Sequence, residues 1–220
     1  MDSNDVWVVV PACNEEQHIS LVLSDIKKYT NNIILVDDGS KDNTVKLAEN
    51  LGVIVLKHMF NLGKGAALKT GCDFALKKKA NKIIVIDSDG QHKPENIPDF
   101  LKALETNDIV FSYRTQRDVM PLVLRFGNWV INTVSYLLFG LKLKDTQCGY
   151  RGFTSNAYKI VKWEAVDYFM ESEMVAKAGR AKLKYVQIPI DTIYSNKYKG
   201  TTVLDGMRIV LNMFIWRLFK

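Results

Sequence analysis

Short β-branched segments alternate with helical patterns through the first half of this chain, and this alternation limits its fold more than any other feature of the sequence. Five apolar runs bounded by turn residues have the composition of strands. These runs lie at 6–10, 33–36, 53–56, 83–86 and 109–111. Segments with helical spacing lie between them, at 42–50, 64–79 and 94–105. Strands that alternate with helices of this length predict an α/β fold, with a mostly parallel sheet flanked by helices.

The helix after the first strand has its predicted start at Asn14. Asparagine is a favoured N-cap residue, and Gln17 stands at the position that completes a capping box. Leu21, Val22 and Ile26 follow at helical spacing. We therefore expect this helix to begin directly after Asn14.

The composition of the chain is that of an ordinary globular protein. No repeat, low-complexity tract or Pro/Gly linker divides the 220 residues, so we expect 1–220 to form a single domain. Three cysteines without a CxxC pair argue against a zinc site or a disulfide framework. The first residues are acidic and polar, which is not typical of a secretory signal, and we expect a cytoplasmic protein.

The net charge of +6 indicates an anionic partner, but it does not distinguish phosphate ligands, acidic lipid and nucleic acid. A nucleic-acid-binding module is one alternative, suggested by the basic charge and nine tyrosines. Such a module places basic residues and aromatics on one face. Here the lysines are scattered and acidic residues cluster where strands end, so we expect no nucleic-acid partner.

Acidic residues follow three of the predicted strands, at 15–16, 37–38 and 87–89. Ligands of open α/β sheets bind beyond the carboxyl ends of the strands. Carboxylates that meet at one such edge repel each other unless a cation or a hydroxyl-rich ligand lies between them. A nucleotide sugar with its metal ion would supply both. For Glu16 and Asp42 we favour a role as helix cap or turn residue instead.

The segment 87–91 holds the most informative of these acids. A turn at Gly90 would let Asp87 and Asp89 reach one hard divalent cation, with the amide oxygen of Gln91 as a third ligand. Asp, Ser and Gly are also the residues that form ordinary turns after strands. The motif by itself leaves the metal site and the simple turn open.

Five motifs, in this order along nearly the whole chain, resemble those of the family 2 glycosyltransferases with the GT-A fold, and within that group those of the dolichyl-phosphate mannose synthases. The motifs are Val10-Pro11-Ala12-Cys13-Asn14-Glu15-Glu16, Val36-Asp37-Asp38-Gly39-Ser40-Lys41-Asp42, Asn61-Leu62-Gly63-Lys64-Gly65, Asp87-Ser88-Asp89-Gly90-Gln91-His92 and Asp145-Thr146-Gln147-Cys148-Gly149-Tyr150-Arg151. The resemblance implies a Rossmann-like, nucleotide-binding sheet. Cys13 departs from the family pattern, which commonly has tyrosine there, and this implies weaker stacking on the base.

The same resemblance implies the residues that bind a nucleotide-sugar donor and its Mg²⁺ or Mn²⁺ ion. Asp89 and Gln91 would bind the metal, which makes Asp89 a catalytic residue as well. Asp38 would accept hydrogen bonds from the nucleoside. The full set of implied donor contacts is Pro11, Cys13, Glu15, Val36, Asp38, Asp87, Ser88, Asp89, Gln91, Arg114, Lys197 and Lys199.

Two arginines, Arg114 and Arg125, resemble the pair that grips phosphate in this family and are the other implied catalytic residues. A guanidinium fork matches phosphate oxygens better than the point charge of a lysine. For Arg125 alone, a solvated arginine on a helix is the alternative. Lys197 and Lys199 stand where these synthases carry a basic loop, in which an expected arginine is missing.

Three further side chains belong to motifs of the family. Glu171 and Glu173 match an FxExE-like segment, in which Glu173 would act as the base of relatives with hydroxyl acceptors. For this chain we expect both to contact sugar or to be structural. Lys64 lies in a loop that lacks the Walker pattern, and we expect it near the donor.

The activity implied by the resemblance is the transfer of a hexose from a nucleotide sugar to dolichyl or another polyprenyl phosphate. Mannose from GDP-mannose is the first expectation and glucose from UDP-glucose the alternative, because no motif fixes the base or the sugar. A phosphate monoester has its second pKa at about 6 and needs no general base at neutral pH. We therefore expect a metal-dependent single displacement with inversion at the anomeric carbon.

Two apolar segments in the second half predict amphipathic helices, at 119–141 and 203–220. The first has one narrow polar stripe, formed by Arg125, Asn128, Asn132 and Ser135. It has too few apolar residues for a membrane span, and a core helix and an in-plane membrane helix both stay open. The second joins bulky apolar residues to arginines, which is typical of an interfacial helix. We expect peripheral association with the cytoplasmic face of a membrane and no transmembrane domain.

Overall fold

The strands of the described part of this protein form one seven-stranded sheet. The computed structural model describes residues 5–115, 122–167, 169–192 and 203–219. The strands are β1 (Val6–Ala12), β2 (Ile33–Asp37), β3 (Ile54–Lys57), β4 (Lys82–Val85), β5 (Ile109–Arg114), β6 (Arg151–Thr154) and β7 (Tyr185–Ile190). Their order is β3-β2-β1-β4-β6-β5-β7, and every neighbouring pair is parallel except the two that β6 makes with β4 and β5. The predicted α/β fold with a mostly parallel sheet is confirmed.

Helices cover the sheet and extend beyond it. They are α1 (Ile19–Ile26), α2 (Thr44–Asn50), α3 (Lys64–Lys77), α4 (Ile97–Ala103), α5 (Leu122–Phe139), α6 (Ser155–Val161), α7 (Met170–Arg180) and α8 (Val203–Phe219). A short 3₁₀ turn, Pro94–Asn96, precedes α4, so the predicted helix at 94–105 is divided. The apolar segments at 119–141 and 203–220 contain the predicted helices.

Helix α1 begins later than predicted, at Ile19. Asn14 has a positive φ of 56° and lies outside the helix. Its side-chain oxygen accepts a hydrogen bond from the Lys41 backbone N–H at 2.8 Å, and its own N–H donates to Ser40 Oγ at 2.9 Å. Asn14 thus joins the loops that follow β1 and β2. The prediction that it caps the helix is wrong, because these partners lie in a distant part of the chain.

The two faces of the sheet carry separate hydrophobic layers. Val9 belongs to the layer formed with α3, α6 and α7, whereas Val8 and Val10 belong to the layer formed with α1, α2 and α4. This alternation follows from the two-residue period of a strand and explains why β1 is apolar along its length. With both faces covered, the carboxyl ends of β1, β2 and β4 are where a ligand of this sheet would bind.

Helices α5 and α8 pack on each other and on α7 through a third apolar cluster, which includes Ile131, Ile209 and Met213. Each of the two helices also exposes apolar side chains on one face. These are Val123, Phe126, Trp129, Tyr136 and Leu137 of α5 and Met207, Leu211, Phe214, Ile215 and Leu218 of α8. Within the described ranges, no helix has the length and apolar character needed to cross a membrane.

Three residues of the predicted polar stripe of α5, Asn128, Asn132 and Ser135, are turned toward the protein, whereas Arg125 is exposed. Asn128 donates a hydrogen bond from Nδ2 to Asp145 Oδ1 at 3.2 Å. Asn132 donates to the Lys144 carbonyl at 2.7 Å and accepts from the Thr146 N–H at 3.0 Å. Asn128 and Asn132 therefore fix α5 to the loop that contains the motif 145–151, and the exposed apolar side chains lie on a different side of the helix.

Candidate active site

The acidic loop 87–91 lies just past the carboxyl end of β4, at the ligand-binding edge of the sheet. Gly90 has a φ of +71°, a conformation that glycine adopts without strain, and it turns the chain there. Asp89 Oδ1 accepts a hydrogen bond from the Gln91 backbone N–H at 3.0 Å, and Ser88 is buried. The turn predicted at Gly90 is present, and it holds Asp89 and Gln91 together.

Lys64, the first residue of α3, links this loop to α7. Its Nζ lies 2.8 Å from Asp87 Oδ1 and 3.2 Å from Glu171 Oε1. The cluster lies against Gly149, where a Cβ atom would stand 2.6 Å from Lys64 Nζ and 2.7 Å from Asp87 Oδ2. Any larger residue at this position would push the ion pair apart. Three segments that are far apart in the sequence therefore meet at one ammonium group.

The two acids of the loop have opposite pKa shifts. Burial alone would raise the pKa of Asp87, but the Lys64 ammonium and then His92 outweigh it, and the pKa is lowered. Burial, and then the charge of Asp87, raise the pKa of Asp89. Burial also works to lower the pKa of Lys64, yet Asp87 and Glu171 raise it well above its ordinary value. Asp87 is thus a fixed partner of Lys64, whereas the charge on Asp89 is one that a cation would stabilise.

The oxygen atoms available for a cation at this loop belong to Asp89 and Gln91. Among the described residues, no three His, Cys, Asp or Glu side chains are grouped closely enough to hold a metal ion. Mg²⁺ is usually bound through one or two carboxylates together with substrate phosphates and water. Asp89 and Gln91 are of the residue types that such a shared site uses, and metal binding by them stays a prediction.

A buried histidine lies behind the acids. His92 Nε2 is 4.0 Å from Asp87 Oδ2, and its ring is stacked on Tyr150 at a centroid distance of 5.9 Å. Burial lowers the pKa of His92, although Asp87 and Asp89 work in the other direction. His92 Nδ1 is buried and has no hydrogen-bond partner within the described residues.

In the second acidic motif, at the end of β2, the carboxylate of Asp38 forms hydrogen bonds within the protein. Asp38 Oδ1 accepts from the Leu62 N–H at 2.9 Å and Oδ2 from the Gly63 N–H at 2.8 Å. His58 Nδ1 lies 2.7 Å from Asp38 Oδ1, and its Nε2 is 3.0 Å from Thr70 Oγ1. This network fixes the loop that leads into α3. Contact of Asp38 with a nucleoside stays a prediction.

The other residues predicted around the nucleoside lie close together at the ends of β1 and β2. Pro11 and Val36 are directly paired in the sheet register. Cys13 accepts a hydrogen bond at Sγ from Asn61 Nδ2 at 3.3 Å. Glu15 is buried, and its Oε2 lies 3.0 Å from His18 Nδ1. These strand ends form one continuous edge with the acidic loop, because β1 pairs with both β2 and β4.

Comparison with known proteins identifies the family of this chain. The family model described as glycosyl transferase family 2 matches residues 7–162. The chain belongs to this family. The predicted membership in family 2, and with it the predicted glycosyltransferase activity, is confirmed.

Two curated relatives in this family carry the names of enzymes with lipid-phosphate acceptors. The UDP-N-acetylglucosamine–dolichyl-phosphate N-acetylglucosaminyltransferase of Methanococcus voltae is 31% identical over 98% of this chain and 97% of its own length. The undecaprenyl-phosphate mannosyltransferase of Micrococcus luteus is 27% identical over 97% of this chain and 94% of its own length. The two names differ in the sugar that they give.

A solved structure of another enzyme has the same fold as this glycosyltransferase. Glucosyl-3-phosphoglycerate synthase from Mycobacterium tuberculosis, in complex with Mn²⁺, UDP-glucose and phosphoglyceric acid, superposes with a TM-score of 0.76. The match covers 96% of this chain and 79% of that chain at 20% identity. The predicted GT-A fold is confirmed by this likeness.

The arginines of the glycosyltransferase are placed differently from each other. Arg114, at the end of β5, donates from Nε to Asp145 Oδ2 at 2.7 Å and from Nη2 to Asp145 Oδ1 at 3.2 Å. The Asp145 side chain is fully buried, so this ion pair orients the guanidinium group. Arg125 is exposed on α5. The predicted residues Lys197 and Lys199 lie outside the described residues.

The two glutamates of α7, Glu171 and Glu173, have different partners. Glu173 accepts hydrogen bonds from the backbone N–H groups of Glu164 and Ala165, and its Oε1 lies 2.8 Å from Lys177 Nζ. It is therefore structural, one of the two roles expected for it. Glu171 instead forms an ion pair with Lys64, which also pairs with Asp87.

Glu16 and Asp42 have the structural role that the sequence favoured. The Asp42 carboxylate accepts from the backbone N–H groups of Thr44 and Glu16. Glu16 accepts in turn from the N–H and the side chain of Asn43. The two acids hold the loop after β1 against the start of α2.

Sequence reasoning did not bring Glu171, His92 and Gly149 together as members of one site. The loop 61–65 pointed to Lys64, and the motif 145–151 contains Gly149, but neither pattern names its partner. The buried pairing of Lys64 is visible only in three dimensions.

Proposed function

We propose that this glycosyltransferase transfers a hexose from a nucleotide sugar to a dolichyl or other polyprenyl phosphate. The observation that carries the proposal is the division between the two acids at the end of β4. Lys64 neutralises Asp87, whereas Asp89 has a raised pKa and no fixed cationic partner among the described side chains. An edge of this kind suits a metal-bound diphosphate, and the names of the two relatives support a lipid-phosphate acceptor.

In this proposal Asp89 and Gln91 hold Mg²⁺ or Mn²⁺ together with the donor diphosphate. The ion supplies positive charge that stabilises the departing nucleoside diphosphate. The Mn²⁺ and UDP-glucose in the related synthase structure support this use of a divalent ion. The nucleoside would lie along the ends of β1 and β2, near Pro11, Cys13 and Val36.

The acceptor removes the need for a general base. Its phosphate is largely dianionic at neutral pH, because its second pKa is about 6. A phosphate oxygen attacks the anomeric carbon while the bond from that carbon to the diphosphate oxygen breaks, which inverts the configuration. Glu173, the base expected in relatives with hydroxyl acceptors, is occupied by Glu164, Ala165 and Lys177 in agreement with this chemistry.

Arg114 is proposed to hold a phosphate group of the donor or acceptor. A guanidinium oriented by a buried carboxylate is pre-organised, which reduces the entropy lost on binding. Arg125, one helix turn before Asn128 on α5, is proposed to be the second phosphate contact. Lys197 and Lys199 stay predictions for the same role.

Two classes of donor, GDP-mannose and the UDP-sugars, are candidates for this enzyme. Mannose from GDP-mannose is the first candidate, supported by the family resemblance and by the name of the Micrococcus luteus relative. A UDP-sugar is the second, supported by the more similar Methanococcus voltae relative and by UDP-glucose in the structural neighbour. UDP-glucose and UDP-N-acetylglucosamine therefore belong in the same experiment.

The deciding experiment is a transfer assay with purified protein, Mn²⁺ or Mg²⁺, a short polyprenyl phosphate and radiolabelled GDP-mannose, UDP-glucose or UDP-N-acetylglucosamine. We expect one donor to give organic-extractable label, with little label in the Asp89→Asn variant. Chelation by EDTA should abolish the signal, and added Mn²⁺ should restore it. If no donor labels lipid in the wild-type protein, the proposed function fails.

We further propose that the exposed apolar faces of α5 and α8 rest on an anionic membrane. Both faces combine bulky side chains with exposed arginines, namely Arg125 on α5 and Arg208 and Arg217 on α8. Aromatic and aliphatic side chains next to basic ones are typical of helices that lie in a membrane interface. Such contact would bring a lipid-anchored phosphate to the enzyme. Association with the cytoplasmic face specifically stays a prediction.

Liposome flotation tests the membrane contact. Wild-type protein should float with vesicles that contain anionic lipid, and the double variant Phe126→Ser/Trp129→Ser should remain at the bottom of the gradient. Leu21→Ser is the matched control, because Leu21 is equally exposed but lies on α1 in the other half of the chain. Equal flotation of the three proteins would contradict the proposed contact.

A further inference from the structure

Glu171 presents a buried carboxylate oxygen that the fold does not use. The residue is only 3% exposed. Its Oε1 lies 3.2 Å from Lys64 Nζ, but its Oε2 has no hydrogen-bond partner among the described residues. A buried charged acceptor without a donor carries a large desolvation penalty. Such an atom in a native site needs a donor that the described side chains do not supply.

The neighbours of Glu171 do not take up this oxygen. Lys64 is shared with Asp87, whose two oxygens lie 2.8 and 3.1 Å from Nζ. Arg151 donates to the backbone carbonyl of Glu171 at 2.9 Å and not to its carboxylate. Glu173 lies two residues further along α7, and both of its oxygens accept backbone hydrogen bonds. The two acids of one helix turn thus differ: the oxygens of Glu173 are both engaged by the fold, whereas Glu171 Oε2 has no donor among the described residues.

The chemistry of the cluster selects the ligand. Asp87 and Glu171 contribute negative charge on either side of Lys64, so a phosphate group is a poor partner for Glu171 Oε2. A neutral O–H donor is a good one, because a hydrogen bond to a carboxylate is stronger than one to a neutral acceptor. Next to the proposed diphosphate position at Asp89, the hydroxyl-bearing group is the transferred sugar.

We infer that Glu171 accepts a hydrogen bond from one hydroxyl group of the donor sugar and thereby determines sugar specificity. This inference rests on the proposed function, since it assumes a nucleotide-sugar donor. Lys64 is the positioning residue, because it holds Glu171 and Asp87 at fixed distances from one ammonium group. Gly149 leaves the space in which that group lies.

A double-mutant cycle between protein and ligand tests the inference. Calorimetry with Mn²⁺ first gives the Kd values of wild-type protein for GDP-mannose, UDP-glucose and UDP-N-acetylglucosamine, and for GDP and UDP. The tightest nucleotide sugar is then replaced by analogues that each lack one sugar hydroxyl. The same series is measured with Glu171→Ala and Glu171→Gln, and with Glu173→Gln as the matched control. No acceptor lipid is present.

We expect wild-type protein to bind one deoxy analogue about 10- to 100-fold more weakly than the complete donor. Glu171→Ala should bind the complete donor as weakly as that analogue, with no further loss for the analogue itself. Its affinity for the nucleoside diphosphate should change by less than about twofold. Glu173→Gln should keep the full deoxy penalty even if its melting temperature falls. Glu171→Gln keeps the shape of the side chain and guards against a folding defect in the alanine variant.

Other results overturn the inference. An unchanged deoxy penalty in Glu171→Ala and Glu171→Gln would show that the hydroxyl binds elsewhere. Equal losses for nucleotide sugar and nucleoside diphosphate would show a general defect of the site. Wild-type protein that binds every deoxy analogue as tightly as the complete donor also rules the contact out. A failed lipid transfer assay with an intact cycle would instead reject only the proposed acceptor.

Discussion

Two acidic motifs end strands on either side of β1, and their carboxylates are used in opposite ways. Asp38, after β2, accepts backbone hydrogen bonds from Leu62 and Gly63 and contacts His58. Asp89, after β4, accepts only the Gln91 N–H among the hydrogen bonds of the described residues and has a raised pKa. Acids at the same sheet edge can thus either build the loop or leave their charge for a ligand. The number of internal donors, and not the sequence motif, distinguishes them.

The largest expected effect is on catalysis, through Asp89→Asn. This change keeps the shape of the side chain and its acceptor for Gln91 but removes the charge that would hold the cation. We expect the rate of sugar transfer to fall about 100- to 1000-fold. Initial rates in the labelled-lipid assay measure the effect, with circular dichroism as a check on folding. Wild-type activity in this variant would mean that the two motifs do not differ as described.

The next effect is on stability, through Asp38→Asn. The variant loses a charged acceptor for two backbone N–H groups and for His58, all in a buried network. We expect the free energy of unfolding to fall by about 2–3 kcal/mol. Urea denaturation at pH 7 gives this quantity for wild type, Asp38→Asn and Asp89→Asn. A larger stability loss in Asp89→Asn than in Asp38→Asn would reverse the comparison.

A smaller stability loss is expected from Asp42→Ala, which tests an acid nearer the surface. Its carboxylate accepts hydrogen bonds from the N–H groups of Thr44 and Glu16. Water replaces part of these interactions in the variant, so we expect a loss of about 1 kcal/mol. The same urea series measures it. Asp25→Ala, at an exposed ion pair with Lys28, is the control and should change stability less.

The smallest expected effect is on the pH dependence of folding stability, measured in the absence of metal ions. Burial raises the pKa of Asp89, so its ionised form destabilises the folded state at pH values above that pKa. For Asp42, hydrogen bonds from Thr44 outweigh burial and lower the pKa, so its contribution to stability is present above pH 3.8 and lost on acidification through the lower folded pKa. Melting curves in EDTA should show Asp89→Asn slightly more stable than wild type at pH 7, with the difference vanishing as pH falls. A constant difference at all pH values would exclude ionisation of Asp89 as its cause.

Much of the fold is predictable from local patterns, because the central strands are buried on both faces and therefore apolar. Strands β6 and β7 cannot be predicted from such local patterns. β6 is four residues long and contains Arg151 and Gly152, and β7 contains Pro189. These residues are unfavourable in strands, and tertiary contacts override the local preference.

The motifs of the site were predictable, but their internal pairings were not. The spacing of Asp87 and Asp89 gives no sign that Lys64 neutralises one and leaves the other. The sequence predicts that Asn14 caps a helix, whereas in the structure Asn14 forms hydrogen bonds with Lys41 and Ser40 of a distant loop. Both cases depend on partners brought in by the folded chain, which a pattern in one segment does not contain.

The position of β6 between β4 and β5 has a consequence for synthesis on the ribosome. β6 is the sixth strand to be made, yet it lies within the sheet and joins the part containing β1 to β4 to the pair β5 and β7. Until residues 151–154 have emerged, β4 and β5 both have an open side, and β4 is a site for wrong pairing. The chain must therefore be made well beyond its first half before β6 can join β4 to β5 and complete the sheet.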